Sequence, residues 1–455
     1  MAGSLAEVDP RWAWSPYEPD QRRPWNRAQA AHLYRRAGFA ANWRELNEAV
    51  AHTPADAVEK LFSAGPSVGA FERQMDSLSA TLLTAGGAQR LSAWWLYRML
   101  HTPDPLTEKT TLFWHGHFAT SAEKVNDPRA MLAQHALLRE NALGSFAPMV
   151  QGISRDPAML IYLDSVSNRK SHPNENYARE VMELFCLGLG AYTERDIQEL
   201  ARCFTGWEIY RGRFRFNEYQ HDFGSKTLLG KTGNFDGDQG VEIVLAQPAA
   251  ARFIARKLIH YFVCDEPTLP EPLVEALAQQ LREQQFDVGH AVRTILGSQL
   301  FFSEHAAARK VRSPVELGIG LLRALEATTN MTELAADLAQ LGQAVFFPPN
   351  VKGWDGGRTW INSSTLLGRA NLIGRLVRPG ESRLAGGGMA ELAASHGVDG
   401  PEAFVDWLLE LLVAVPVDAP ARQPLVALAR SSDMDNEGVA GVVQAIGALP
   451  EFQLC

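Results

Sequence analysis

The sequence has only four cysteines, Cys186, Cys203, Cys264 and Cys455, and no two of them form a CxxC pair. That excludes a zinc ribbon and a thioredoxin-like redox motif, and so few thiols fit a reducing compartment. Positive charge is short as well: 43 Lys and Arg against 52 Asp and Glu leave a net charge of −9, which excludes a general nucleic-acid binder. The longest apolar run, Phe404 to Val417, is broken by Asp406 and Glu410, so no stretch reads as a membrane span. The opening MAGSLAEVDPRWAWSPYEPD lacks a basic segment followed by an apolar one. No signal peptide is read there, and a cytoplasmic chain is the expectation, with an exported location left open. The common chemical signatures are missing too. There is no GxxxxGK[ST], no GxGxxG opening a βαβ unit, no GxSxG elbow, no kinase signature set and no HExxH.

What is present is helical. Apolar residues recur at helical spacing over most of the 455 residues, from Asn26 onward. The expected fold is mainly α. An irregular Pro- and Trp-rich arm (1–25) leads into a large helical domain (26–380). That domain carries a small β-hairpin or sheet inserted at 207–245. A helical tail (381–455) follows a Gly-rich linker at 386–388. Asn26 is read as an N-cap and Gly38 as a helix stop. Arg35 and Arg36 read as a solvated basic face or an anion contact. Thr107 is expected to cap a helix that unravels at Gly116, and Asp156-Pro157 to start another. Cys186 and Cys203 fall in apolar patterns and are read as buried.

The densest polar stretch runs from Pro173 to Asp222, and a buried polar group without a partner costs roughly 1–3 kcal/mol. It therefore reads as the floor of a polar site. A helix is expected from Asn174. On it Asn176, Glu180 and Glu183, spaced i, i+4 and i+7, line one face with Arg179 beside them. Two carboxylates and an amide suit a hard divalent cation or iron. They suit an Arg or Lys from another helix equally, and Arg179 and Glu183 can simply pair. Thr193 with Asp196 reads as a capping box. His221, Asp222 and Lys226 are expected at a turn of the inserted hairpin. His115 and His117, in FWHGHF, point apart on a continuous helix and converge only on a strand or a broken helix end. They read either as metal ligands or as packing residues. The DGD at 236–238 has calcium-loop spacing without the full pattern. In the late loop VKGWDGGRTWIN, Lys352, Trp354, Asp355, Trp360 and Asn362 either close over a ligand, for which a sugar would suit, or cap the core.

The candidate catalytic set is therefore Glu180, Glu183, His221 and Asp222. Substrate contacts are expected from Asn174, Asn176, Arg179, Lys226, Trp354 and Asn362, with a divalent metal held by His115 and His117. The chemistry these types support is metal-assisted hydrolysis or oxidation of a sugar-like or anionic substrate, or metal-free acid–base work by a Glu of raised pKa.

Six blocks carry a resemblance: HLYRRAGF, FWHGHF, DPAMLIYLDSVSN, PNENYAREVMELFCLGLGAYTERDIQELARCFTGW, HDFGSKTLLG and VKGWDGGRTWIN. With them the chain resembles, over roughly residues 26–453, the bacterial family called domain of unknown function 1800. Cys186 and Cys203 stand where Thr or Ala is commoner in that family. The resemblance implies that the polar blocks form one site, and it transfers no reaction. It also implies a genetic neighbour, an exported protein of sulfatase-like or phosphatase-like fold, and many members carry export signals. Three readings follow: an enzyme, a non-catalytic partner or maturation factor of that neighbour, and a carbohydrate-binding module, against which the helix content argues.

Overall fold

Side chains that accept the first free backbone N–H groups set many of the helix starts. Asn26 accepts from Gln29, Asp156 from Met159, Thr193 from Asp196 and Asn362 from Thr365. The computed structural model describes residues 5–63, 65–85, 87–266, 268–432 and 436–455. The fold is mainly α, and strands occur among the described residues only as three two-stranded antiparallel sheets. The helix Pro105–His117 is capped by Asp104 and not by Thr107, whose N–H is the group Asp104 holds. Pro105, suited to the first helical position, moves the start upstream. The helix runs unbroken through Gly116 to His117.

The 207–245 segment holds two hairpins and a helix. β1 (Trp207–Tyr210) pairs with β2 (Arg213–Phe216), and β3 (Lys226–Leu228) with β4 (Lys231–Gly233). Gly237–Leu245 is helical, with Asp236 and Gln239 forming its capping box, so the DGD begins a helix. The third sheet joins β5 (Ala327–Thr329) to β6 (Ser382–Leu384).

One connected apolar core takes in side chains from Leu5 to Phe452. The N-terminal segment is anchored on it: Trp14 donates to the Leu273 carbonyl, and Tyr17 stacks on Phe302 at 4.3 Å. At the other end, the helix Asn436–Gly447 packs on the helix Ser363–Val377. Arg35 and Arg36 are not solvated, because their helix (Arg27–Ala37) is covered on that side. Arg35 donates to the Leu411 carbonyl, and Arg36 to the carbonyls of Ala306 and Cys455.

Two adjacent buried charges fix the rotation of Pro105–His117. Glu108 is fully buried and accepts from Arg98, Arg139 and Trp95. Lys109 is also fully buried and pairs with Glu316. Neighbouring residues on an α-helix point about 100° apart, so two such clamps leave the helix no freedom to turn. The same geometry sends His115 and His117 to different neighbours.

Candidate functional site

A cavity of about 540 Å³ opens beside the C-terminal half of that helix. Gly116 and His117 form one wall. The helix Pro248–Phe262 supplies Lys257 and Tyr261, the helix Pro314–Ala324 supplies Glu316 from its first turn, and the segment leading into it supplies Lys310. The loop before Trp360 closes the remaining side with Trp354. Backbone contact seats this loop. A Cβ on Gly353 would lie 2.1 Å from the Gly116 carbonyl oxygen, and Gly353 has φ +81°. Only glycine combines that conformation with that approach. Gly357, at φ +55°, packs beside Asp265 at ordinary contact distance, and the adjacent Arg358 pairs with Glu266 at 2.7 Å.

Two amines in the cavity have opposite characters. Lys310 is nearly enclosed. Burial works against its charge, but Glu316 and Asp265 outweigh that, and its pKa lies above the ordinary value. Its Nζ is 3.6 Å from Asp265 Oδ1 and 5.4 Å from the Tyr261 ring. Lys310 is thus a permanent cation. Lys257 is brought down to about 8, by burial first and by the nearby Lys352 second. Its Nζ lies 5.1 Å over the Phe253 ring and has no hydrogen-bond or ion-pair partner among the described residues. Glu316 is held well below the usual carboxylate range: burial opposes this, and Lys109 and Lys310 prevail.

His117 reaches the cavity as a neutral imidazole, its pKa driven well down by burial first and by Lys257 second. Its Nε2–H donates to the Phe185 carbonyl at 2.9 Å. That carbonyl lies in the last turn of a helix and has no intrahelical donor to meet it. The remaining His117 nitrogen, Nδ1, is buried with no hydrogen-bond partner among the described residues. His115 Nε2 instead accepts the Phe346 N–H at 3.0 Å, and burial takes this imidazole down to about 3. The two histidines therefore do not converge as metal ligands. No group of three or more His, Cys, Asp or Glu side chains among the described residues is placed to hold a metal ion.

The Glu180 face lies elsewhere. The helix begins at Asn176, two residues later than the sequence suggests, and turns into a π-helix over Val181–Cys186. The wider π turn displaces Glu183 from the i+7 position of a regular α-helix. Asn174 accepts from the Asn176 N–H and donates to the Asp164 carbonyl, and Asn176 donates weakly to the Leu163 carbonyl. Arg179 binds Glu194 through two nitrogens and Glu175 through one, and it does not pair with Glu183. Glu183 accepts from Tyr192. Burial, then Glu183, raises the pKa of the half-buried Glu180.

His221 and Asp222 are adjacent but do not form a dyad. His221 donates from Nδ1 to the Thr205 carbonyl at 2.8 Å, and Asp222 holds Arg202 at 2.7 Å. Lys226 is buried and donates to the carbonyls of Asp222 and Gly224. The helix Glu194–Cys203 grips the second hairpin: Asp196 accepts the Leu229 N–H, and Glu199 the Thr227 N–H. Much of the polar density between Pro173 and Asp222 is consumed in this way. Asn362 caps a helix and lines a smaller hollow of about 300 Å³, beside Trp354 and Trp360.

The family described as "Protein of unknown function (DUF1800)" matches residues 32–454. The chain belongs to that family. No curated protein and no solved structure matches it. In this family member the blocks FWHGHF and VKGWDGG meet at the cavity, and of the residues singled out by sequence, His117, Lys352, Trp354, Asp355 and Trp360 line it. From sequence alone ARFIARKLIHYFV is an amphipathic helix that places Arg256 and Lys257 on its solvent side. The available signal was Phe253, Lys257 and Tyr261 at i, i+4 and i+8. That ring–amine–ring stripe does not belong to a solvated face. Lys310 carried no sequence signal, since its place depends on Asp265 and Glu316.

Proposed function

We propose that this protein is an enzyme whose substrate is a small organic anion with a flat unsaturated body, held in the cavity of about 540 Å³. One observation carries the reading: Lys257 and Lys310 share a single cavity with the rings of Phe113, Tyr261, Trp354 and Trp360. Such pockets bind through apolar and aromatic walls, with a few charged groups fixing orientation. The permanent charge of Lys310 suits a carboxylate, sulfate or phosphate, and the indole of Trp354 suits a planar body. Acid–base chemistry suits the two amines and the neutral His117 imidazole of this cavity. Titration with p-toluate, a flat carboxylate, tests the reading through calorimetry and tryptophan fluorescence. Saturable binding that Trp354→Ala weakens about tenfold is expected, since stacking on one ring contributes roughly 1–1.5 kcal/mol. Binding that is absent, or indifferent to Trp354, overturns it.

A different surface favours the second reading, a non-catalytic partner role. Tyr219 is 87 % and Phe223 59 % exposed on the inserted segment, with Tyr210 and Phe216 partly exposed nearby. Exposed aromatics grouped in this way mark docking faces. A sulfatase-like or phosphatase-like neighbour would bind there. Co-elution at micromolar concentration, lost in Tyr219→Asp, tests it, and failure to co-elute counts against it.

A further inference from the structure

We infer that Lys257 is a covalent-capture amine: it forms a Schiff base with an aldehyde or ketone that also carries an anionic group, in the cavity whose ligand-binding role is proposed above. Three features of the cavity support this, and the first is isolation. The chain has nine lysines. Lys60, Lys109, Lys124, Lys310 and Lys352 are in ion pairs, and Lys226 donates to backbone carbonyls. Lys170 and Lys231 are exposed. Lys257 alone is half-buried yet without a hydrogen-bond or ion-pair partner among the described residues. A lysine kept only to bind an anion gains from a fixed charge, and Lys310 already supplies one.

The second feature is the setting. An amine is made nucleophilic by desolvation and by a neighbouring cation. Lys257 has both, in the Phe253 ring beneath it and in Lys352. The third is an unused proton acceptor. His117 lines the same cavity, its Nδ1 is buried and unpartnered, and its Nε2 is committed to Phe185. A buried acceptor without a partner costs roughly 1–3 kcal/mol, which a reacting hydroxyl or amine in the cavity would relieve.

The chemistry balances without an oxidant or reductant. The Nζ lone pair adds to the carbonyl carbon while the C=O π pair moves to oxygen. His117 Nδ1 accepts one Nζ proton and passes it to that oxygen, giving a carbinolamine. The second Nζ proton leaves with the hydroxyl as one water, and the C=N bond forms. Lys310 holds the ligand's anionic group, and Trp354 covers its flat face.

The test uses the full chain and 4-carboxybenzaldehyde, with sodium cyanoborohydride to reduce the imine, followed by peptide mapping. At neutral pH an amine with pKa near 8 is roughly a hundredfold richer in the neutral form than an ordinary lysine. Labelling of Lys257 at least about tenfold faster than that of Lys170 and Lys231 is therefore expected. Excess p-toluate should suppress it. His117→Gln should slow labelling while p-toluate still binds, and Lys257→Arg should abolish it. Labelling spread evenly over the exposed lysines, with p-toluate binding intact, overturns the Schiff base and leaves the anion pocket standing. Absence of both p-toluate binding and selective labelling overturns both.

Discussion

Replacing Glu316 by Gln is expected to destabilise the fold more than most single substitutions. Gln keeps the volume and an acceptor for the Ser313 N–H, which Glu316 holds at 2.7 Å. What disappears is the charge opposite Lys109, a fully buried ammonium. Lys109 would keep a weak contact to the Arg35 carbonyl at 3.4 Å and the rings of Phe39 and Tyr261 at 5.2 and 5.7 Å. After Glu316 the nearest influence of negative charge on Lys109 comes from Cys455, and Asp265 faces Lys310 instead. Removing one partner of a buried pair costs about 3–5 kcal/mol, chiefly because the other charge is left uncompensated. Lys109→Met combined with Glu316→Gln should recover much of this, with a coupling of roughly 2–3 kcal/mol. The sign with pH is fixed as well. The folded pKa of Glu316 is depressed, so its contribution is complete above the unfolded value of 4.5 and is lost as pH falls. The penalty of Glu316→Gln should thus be constant near neutrality and shrink below about pH 4.5. Urea unfolding followed by tryptophan fluorescence and circular dichroism measures it. A penalty under about 1 kcal/mol, or single-mutant effects that simply add, would refute the reasoning.

Asp156 should show the opposite dependence. Burial raises its pKa from 3.8 to about 7, so the stability it contributes is complete below pH 4 and declines as pH rises to about 7. Asp156→Asn should match wild type near pH 4 and exceed it at pH 8, by up to about 4 kcal/mol at roughly 1.36 kcal/mol per pH unit. Melting curves across that range check it, and a flat difference would count against it. Gly353→Ala should cost roughly 2–4 kcal/mol through its φ and its collision with Gly116, and p-toluate binding should fall with it. Glu199→Gln weakens the charged acceptor of the Thr227 N–H, so amide exchange there should quicken about tenfold while exchange in the helix Pro248–Phe262 is unchanged.

Helix patterning made the fold class legible, because amphipathic spacing and capping residues are local. Asn26, Asp156 and the Thr193–Asp196 box behave as their sequence context demands. Glu180 and Glu183 show where local reading stops. Their spacing predicts a shared face, but a π turn shifts Glu183, and Glu194 takes the Arg179 guanidinium that was open to it. His221 and Asp222 are adjacent in sequence, yet Thr205 and Arg202 take their hydrogen bonds. The cavity was half legible. FWHGHF and VKGWDGG stood out by composition, whereas Lys257 and Lys310 gain their meaning from partners, or their absence, across the fold.

The bond from the Phe346 N–H to His115 joins residues 231 positions apart. At a synthesis rate of roughly 5–20 residues per second, the imidazole waits about 10 to 50 s for its donor. Through that interval Trp95 rests on the His115 and His135 rings but lacks the Phe346 ring that completes its cover. This part of the core thus closes after most of the chain has left the ribosome. Newly made protein would pass through a stage with that indole uncovered on one side, and holdase chaperones would find their target there.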